Sequence, residues 1–282
     1  MQVTDQIDLV RKAVAEIHSQ GKSVGFVPTM GALHAGHVSL LRTARQKDDF
    51  LIASIFLNPT QFGPGEDLSR YPQPLKEDLG KCASAGVDLV FQPPVDTMYR
   101  EGAATTVQVH GLTEILEGAR RPGHFQGVAT VVTKLFNIVE PNRAYFGQKD
   151  YQQQLMIRQM VRDLDLPIEV VTCPTVRESD GLAMSSRNTY LNAAERQTAL
   201  VLSQTLQQTA ETLFAPTEDL NAIAAEFRMT LENASGIDLE YAVIADPVSL
   251  QEVTHWQPHM ILLTAARVGT TRLIDNWVVQ PE

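Results

Sequence analysis

At 282 residues the chain is longer than one small core usually fills, and its 44% hydrophobic and 20% charged residues exclude disorder. A formal net charge of -10 excludes an extended nucleic-acid face, which needs a basic surface, but leaves room for a local pocket that takes one nucleotide. The amino terminus MQVTDQIDLV lacks a basic stretch followed by an apolar run, and no stretch nears the ~20 apolar residues of a membrane helix. Cys82 and Cys173 form no C-x-x-C and no disulfide framework, so the expectation is a cytoplasmic chain, without a membrane or nucleic-acid partner, holding two structural thiols.

In chain order, Ile7, Val10, Val14 and Ile17 recur at helical spacing, and residues 23–27 read as a short buried strand ending at Pro28. A helical pattern follows over 37–44, then a strand over 50–57 with both faces apolar, stopped by Asn58-Pro59. Beyond a polar loop come a helix over 75–85, a strand over 87–91, a helix over 128–139, a strand over 143–146, a helix over 151–165 and a strand over 168–171. Strands alternating with helices predict an α/β fold, a doubly wound parallel sheet of nucleotide-binding type. After Thr189 the order changes to helices over 193–213 and 219–232, then strands over 239–244, 260–266 and 271–279. Helices followed by strands predict a smaller α+β C-terminal domain, with residues 1–176 as the first domain and 177–282 as the second.

Four segments carry chemistry. The first, Pro28-Thr-Met-Gly-Ala-Leu-His-Ala-Gly-His37, lies between the first predicted strand and its crossover helix, where open α/β sheets bind ligands. Gly31 and Gly36 let the backbone approach a phosphate, and a helix starting near His37 would aim its positive end at the anion. His34 and His37, three apart, can face one phosphate and stabilise charge or donate a proton. A metal pair and two packed loop histidines are the competing readings. Neither a P-loop nor a dinucleotide fingerprint occurs in the chain.

The second segment is Ala183-Met-Ser-Ser-Arg-Asn188, where Ser185, Ser186 and Arg187 suit a polyphosphate, or simply cap the next helix. The third is Phe146-Gly-Gln-Lys-Asp-Tyr-Gln-Gln153. There Gly147 permits close approach, Lys149 supplies a point charge, Asp150 could accept from ribose hydroxyls, and Gln153 would sit one turn inside the helix; a surface Lys-Asp pair is the alternative. The fourth is Phe56-Leu-Asn-Pro-Thr-Gln-Phe-Gly63, whose amides Asn58 and Gln61 can bond substrate hydroxyls and a carboxylate, within what is also a turn.

An H-x-G-H loop followed much later by Met-Ser-Ser-Arg resembles the paired signatures of the nucleotidylyltransferase superfamily, which attacks the α-phosphate of a nucleoside triphosphate. With Glu66-Asp-Leu-Ser-Arg-Tyr-Pro72, Leu116-Glu-Gly118, Arg121-Pro-Gly-His-Phe-Gln-Gly127 and Leu273-Ile-Asp-Asn276, nearly the whole chain resembles the pantothenate synthetase family. That resemblance implies a Rossmann-like first domain, a smaller C-terminal lid and a homodimer. The implied reaction joins pantoate to β-alanine with ATP and Mg2+ through pantoyl adenylate. It places ATP against Met30, Gly31, Ala32, Leu33, His34, Ala35, Gly36 and His37, against Gly147, Gln148, Lys149 and Asp150, and against Val176, Met184, Ser185, Ser186 and Arg187. His37 would donate a proton, with His34, Lys149 and Arg187 beside it as catalytic groups. Gln61 would hold pantoate and β-alanine, and Gln153 pantoate. Gln148 and Met184 depart from the family motif at positions where the main chain can make the contact. The alternatives are a transferase that leaves a nucleotide on a phosphorylated substrate, and an inactive nucleotide-sensing protein.

Overall fold

The computed structural model describes residues 1–217 and 219–280. It divides into two compact units, Met1–Gln148 with Gln152–Pro174 and Lys149–Tyr151 with Thr175–Glu282.

The first unit is built on β1 (Gln2–Thr4), α1 (Ile7–Ser19), β2 (Val24–Thr29), α2 (Ala35–Lys47), β3 (Phe50–Ile55), α3 (Leu75–Ser84), β4 (Leu89–Phe91), α4 (Val95–Met98), α5 (Glu117–Arg120), α6 (His124–Val139), β5 (Arg143–Gly147), α7 (Tyr151–Asp163) and β6 (Glu169–Cys173). Its six strands form one parallel sheet in the order β1-β4-β3-β2-β5-β6. Successive strand residues point to opposite faces, and both faces are covered. Phe26, Ile52, Leu89, Phe91, Ala144 and Phe146 join one core with α1, α6 and α7. Their neighbours Val27, Leu51, Ala53, Val90 and Tyr145 join a second core with Leu40, Leu41 and Ala44 of α2 and Cys82 of α3. The sheet is doubly wound.

The chain leaves β2 for β3 on one side, and β5 lies on the other, so the strand order reverses between β2 and β5. There the ladder is short: Gly25 pairs with Arg143 and Phe26 with Ala144, while β2 stays in register with β3 out to Thr29. Pro28 has no N–H to give, and it is tolerated inside β2 because the ladder to β5 has already ended. The sequence placed the end of this strand before Pro28. The structure carries it one residue beyond.

The second unit contains α8 (Ala193–Leu213), α9 (Leu220–Glu232), β7 (Ile237–Ala245), β8 (Met260–Val268) and β9 (Thr271–Val279). The strands form an antiparallel sheet with β8 in the middle, packed on α8 and α9 through Leu202, Leu206, Phe227, Leu231, Leu262 and Leu273. Asn192 starts α8 by accepting from Ala194 and Glu195 N–H while Glu195 accepts from Asn192 N–H, a reciprocal cap. Among the described residues no helix is long and apolar enough to cross a membrane.

Candidate active site

The loop after β2 is bent by two successive left-handed residues, Gly31 at φ +84 and Ala32 at φ 50. A non-glycine residue in that region costs of order 1 kcal/mol or more and persists only where neighbours hold it. The holding group is Asp78 of α3, only 1% exposed. Its two carboxylate oxygens accept from Ala32 N–H at 2.8 Å and Leu33 N–H at 2.7 Å. One turn later Lys81 Nζ donates to the Leu33 carbonyl at 2.6 Å, and Thr29 Oγ1 accepts from Gly31 N–H at 3.2 Å. The Ala32 and Leu33 amides therefore face a carboxylate inside the protein.

Helix α2 begins at Ala35, two residues before the sequence expectation, so His34 is its N-cap and His37 its third residue. His34 Nδ1 accepts from Gly36 N–H at 3.2 Å, and His37 Nδ1 accepts from His34 N–H at 3.3 Å. The rings lie 4.1 Å apart between centroids. An accepting Nδ1 places the proton of a neutral imidazole on Nε2, which makes Nε2–H of both rings a donor.

A second cluster surrounds Gln61. Asn58, 1% exposed, donates through Nδ2 to Gln61 Oε1 at 3.0 Å and to the Gly127 carbonyl at 3.2 Å. Its Oδ1 accepts from Tyr99 Oη at 2.8 Å, Thr60 Oγ1 at 2.9 Å and Thr60 N at 3.3 Å. Burial pushes the Tyr99 phenol up, against its bonds to Thr60 and Asn58, and so keeps it a donor. Gln61 Nε2 in turn donates to the Met30 sulfur at 3.1 Å.

Of three consecutive glutamines on α7, Gln152 bonds the Leu112 and Ile115 carbonyls and the Glu117 N–H, and Gln154 accepts from Thr172. Half-buried Gln153 makes no side-chain hydrogen bond among the described residues. Gly147 ends β5 with open space where a side chain would stand, and Gln148 begins the 3-10 turn Gln148–Asp150. Beside the His loop, a cavity of about 590 Å³ is walled by Met30, Gly31, Gln73, Asp78 and Gln92. It opens at the β3–β4–β1 ends of the strands, and none of His34, His37, Gln61 or Gln153 lines it. By the strand-order rule, the reversal between β2 and β5 is where an open α/β sheet takes a ligand.

In the second unit, Lys149 and Asp150 stand with Nζ and Oδ1 3.9 Å apart. The Val176 carbonyl accepts from Met184 N–H at 3.0 Å. Ser185 caps the 3-10 turn Ser186–Tyr190 by accepting from Arg187 N–H at 3.3 Å. Asn188 is buried and donates to Glu178 at 2.7 Å and the Ala183 carbonyl at 3.1 Å, which fixes the shape of the Met184–Arg187 loop. Asp78, Lys81 and Tyr99 were not singled out from the sequence. They lie tens of residues from the loops they hold, and no local spacing marks them.

The family model described as Pantoate-beta-alanine ligase matches residues 2–278. A pantothenate synthetase of Moorella thermoacetica is 51% identical over 280 residues, covering 99% of each chain. A crystal structure of pantothenate synthetase from Thermus thermophilus superposes with a TM-score of 0.93 at 46% identity over 100% of both chains. The pantoate-beta-alanine ligase of Francisella tularensis, complexed with beta-gamma ATP and beta-alanine, matches with a TM-score of 0.81 at 35% identity, covering 99% of this chain and 97% of that one.

Proposed function

The chain belongs to the pantoate-beta-alanine ligase family, and from that premise we propose how its residues carry the reaction. It condenses (R)-pantoate with β-alanine, driven by ATP, to give pantothenate for coenzyme A synthesis. In the first step a pantoate carboxylate oxygen bonds to the α-phosphorus, and the bond to the bridging oxygen of the β-phosphate breaks. Pyrophosphate leaves with that electron pair. In the second, the neutral amine of β-alanine attacks the acyl carbon of pantoyl adenylate, AMP leaves with the acyl–oxygen pair, and the nitrogen gives up a proton.

The observation that carries the residue assignment is the pair of imidazoles whose Nδ1 atoms are spent on the main chain. Their Nε2–H groups are hydrogen-bond donors for charge that grows on the phosphates, with His37 assigned to the departing oxygen and His34 beside it. Lys149 and Arg187 add fixed positive charge and Ser185 and Ser186 hydroxyl donors, so the step is driven by positioning and charge neutralisation without a covalent nucleophile. Gln61 bonds pantoate and the incoming β-alanine, and Gln153 bonds pantoate. Asn58, its amide filled by protein partners, acts by orienting Gln61.

Magnesium enters as part of the nucleotide substrate. Among the described residues no three His, Cys, Asp or Glu side chains gather to hold a metal ion, and a magnesium ion on a triphosphate keeps most of its ligands as phosphate oxygens and water. Cytoplasmic action as a homodimer completes the reading, supported by the family likeness and by two buried thiols suited to a reducing compartment.

Mass spectrometry of the products formed from pantoate, β-alanine and ATP tests the reading. Pantothenate, AMP and pyrophosphate are expected in equal amounts. Pyrophosphate without pantothenate after β-alanine is supplied would overturn the ligase assignment in favour of nucleotidyl transfer.

A further inference from the structure

Lys149 lies in the turn that follows β5, yet it clusters with the carboxyl-terminal unit. There Asn276 Nδ2 donates to the Lys149 carbonyl at 2.8 Å. A carbonyl oxygen only accepts, so the amide of Asn276 must present its nitrogen. Asn276 is on β9 and 1% exposed. Next to it, Tyr151 Oη donates to the Pro247 carbonyl at 3.0 Å.

Asn276 is itself held. Asp275 Oδ1 accepts from Asn276 N–H at 2.7 Å, and the Asp275 carboxylate takes both arms of Arg177, at 2.7 and 3.0 Å. The same guanidinium donates to the Asn276 carbonyl at 3.3 Å and to the Gly181 carbonyl at 3.1 Å, and it lies over the Trp277 ring at 5.1 Å. Arg177 and Ala183 form an antiparallel bridge, and the Met184–Arg187 segment follows directly after Ala183. A planar fork that bonds both carboxylate oxygens sets direction as well as distance.

We propose that Arg177, Asp275 and Asn276 are positioning residues of the ligase reaction, a relay that sets the Lys149 main chain and the Met184–Arg187 loop in one frame so that their phosphate-directed groups keep a fixed spacing. Two segments some 35 residues apart in sequence each contribute donors to one triphosphate. Neither adjoins the other along the chain, so their spacing depends on a third element, and β9 supplies it. A misplacement of the order of 1 Å at such donors costs on the order of a hundredfold in rate. The proposal rests on the assignment of Lys149 to phosphate charge.

A double-mutant cycle on the full chain tests it, with Asn276→Ala, Lys149→Ala and the pair. The readouts are pyrophosphate release from pantoate and ATP, the KM for β-alanine and the midpoint of thermal unfolding. Asn276→Ala is expected to slow pyrophosphate release about tenfold to a hundredfold and leave the β-alanine KM within about twofold. In the Lys149→Ala background it should add less than about twofold, because the group it positions is gone. Losses that multiply in the pair, or a normal rate in folded Asn276→Ala, overturn the proposal. If Asn276→Ala does not fold, Asn276→Asp, which keeps the volume and removes the donor, runs the same cycle. A normal rate in Lys149→Ala overturns the role of Lys149 itself, whereas a slow Lys149→Ala with a normal Asn276→Ala overturns only the relay.

Discussion

His124 Nδ1 lies 2.8 Å from the Gln61 main-chain oxygen, while its Nε2 lies 3.0 Å from Nη1 of Arg121. A guanidinium only donates, so Nε2 accepts and Nδ1–H is the donor to Gln61. Arg121 is in turn held by both oxygens of Glu66 at 2.8 Å. Burial pushes Glu66 up, but the Arg121 hydrogen bond and charge outweigh it and hold the carboxyl below its ordinary value.

This chain of contacts requires a neutral imidazole. Burial, and then the Arg121 charge, lower His124 from an ordinary 6.5 to about 4. Below pH 6.5 the unfolded chain takes up a proton that the folded one refuses, so stability falls as pH drops from 6.5 to about 4. The full shift corresponds to about 3 kcal/mol. Denaturant unfolding at pH 7 and pH 4.5 should show this loss, and His124→Gln should flatten it. An equally steep loss in the variant would assign it to other groups.

Asp78→Asn keeps the shape of the clamp but turns an N–H donor toward one of two main-chain N–H groups. Bonds to a charged group are worth about 1.5–3 kcal/mol each, so a loss of that order in unfolding free energy is expected, with a higher KM for ATP. Unchanged ATP affinity in a folded variant would separate Asp78 from the shape of the His loop.

A Cβ added at Gly127 of α6 would stand 2.3 Å from the Thr60 carbonyl oxygen and 2.7 Å from Gln61 N. The helix can approach the Pro59–Gln61 turn only because this residue has no side chain. Gly127→Ala should push that turn away, raising the KM for pantoate several-fold and costing about 1–3 kcal/mol of stability. Steady-state kinetics with pantoate varied reads the first effect. A normal KM would show that the turn can shift without moving Gln61.

His37→Ala should lower kcat by about two to four orders of magnitude, far beyond the ~1 kcal/mol of stability lost with its bond to His34 N–H, because Nε2–H serves charge in the transition state while the ring is half-buried at a helix end. Single-turnover pyrophosphate release measures it. A rate within about twofold of the parent would remove His37 from the chemistry.

Cys82 and Cys173 are both buried. Burial, and then the charge of Asp78, push the Cys82 thiol up to about 11; burial raises Cys173 too. At pH 8 neither is expected to react with iodoacetamide until the chain unfolds, and quantitative labelling of the native chain would contradict this.

The alternation of strands and helices was legible because each buried strand carries a short run of Val, Ile, Leu and Phe, and each crossover helix a repeat near four. Strand β1 was not, since three residues are too few to show a period. Helix α2 was placed two residues late because a histidine is an unusual cap, and its role appears only once Nδ1 is seen to accept from Gly36. The loops around His34, Gln61, Lys149 and Arg187 stood out by their residue types at strand ends. What holds those loops, Asp78, Tyr99, His124 and Asn276, was not legible as support. Each acts across a distance in sequence that only the folded chain closes, and a lone Asp at a helix start reads as an ordinary first-turn acid.

On the proposed assignment of this loop to ATP, the clamp on residues 31–33 bears on how the nucleotide is met. A flexible loop would lose conformational freedom on gripping a nucleotide, about 1–2 kcal/mol for each backbone residue frozen. Here that loss falls on folding, when Asp78, Lys81 and Thr29 fix the left-handed turn ahead of any encounter with nucleotide. The free energy of nucleotide binding is then available for the reacting phosphates, and the loop is preorganised for its ligand.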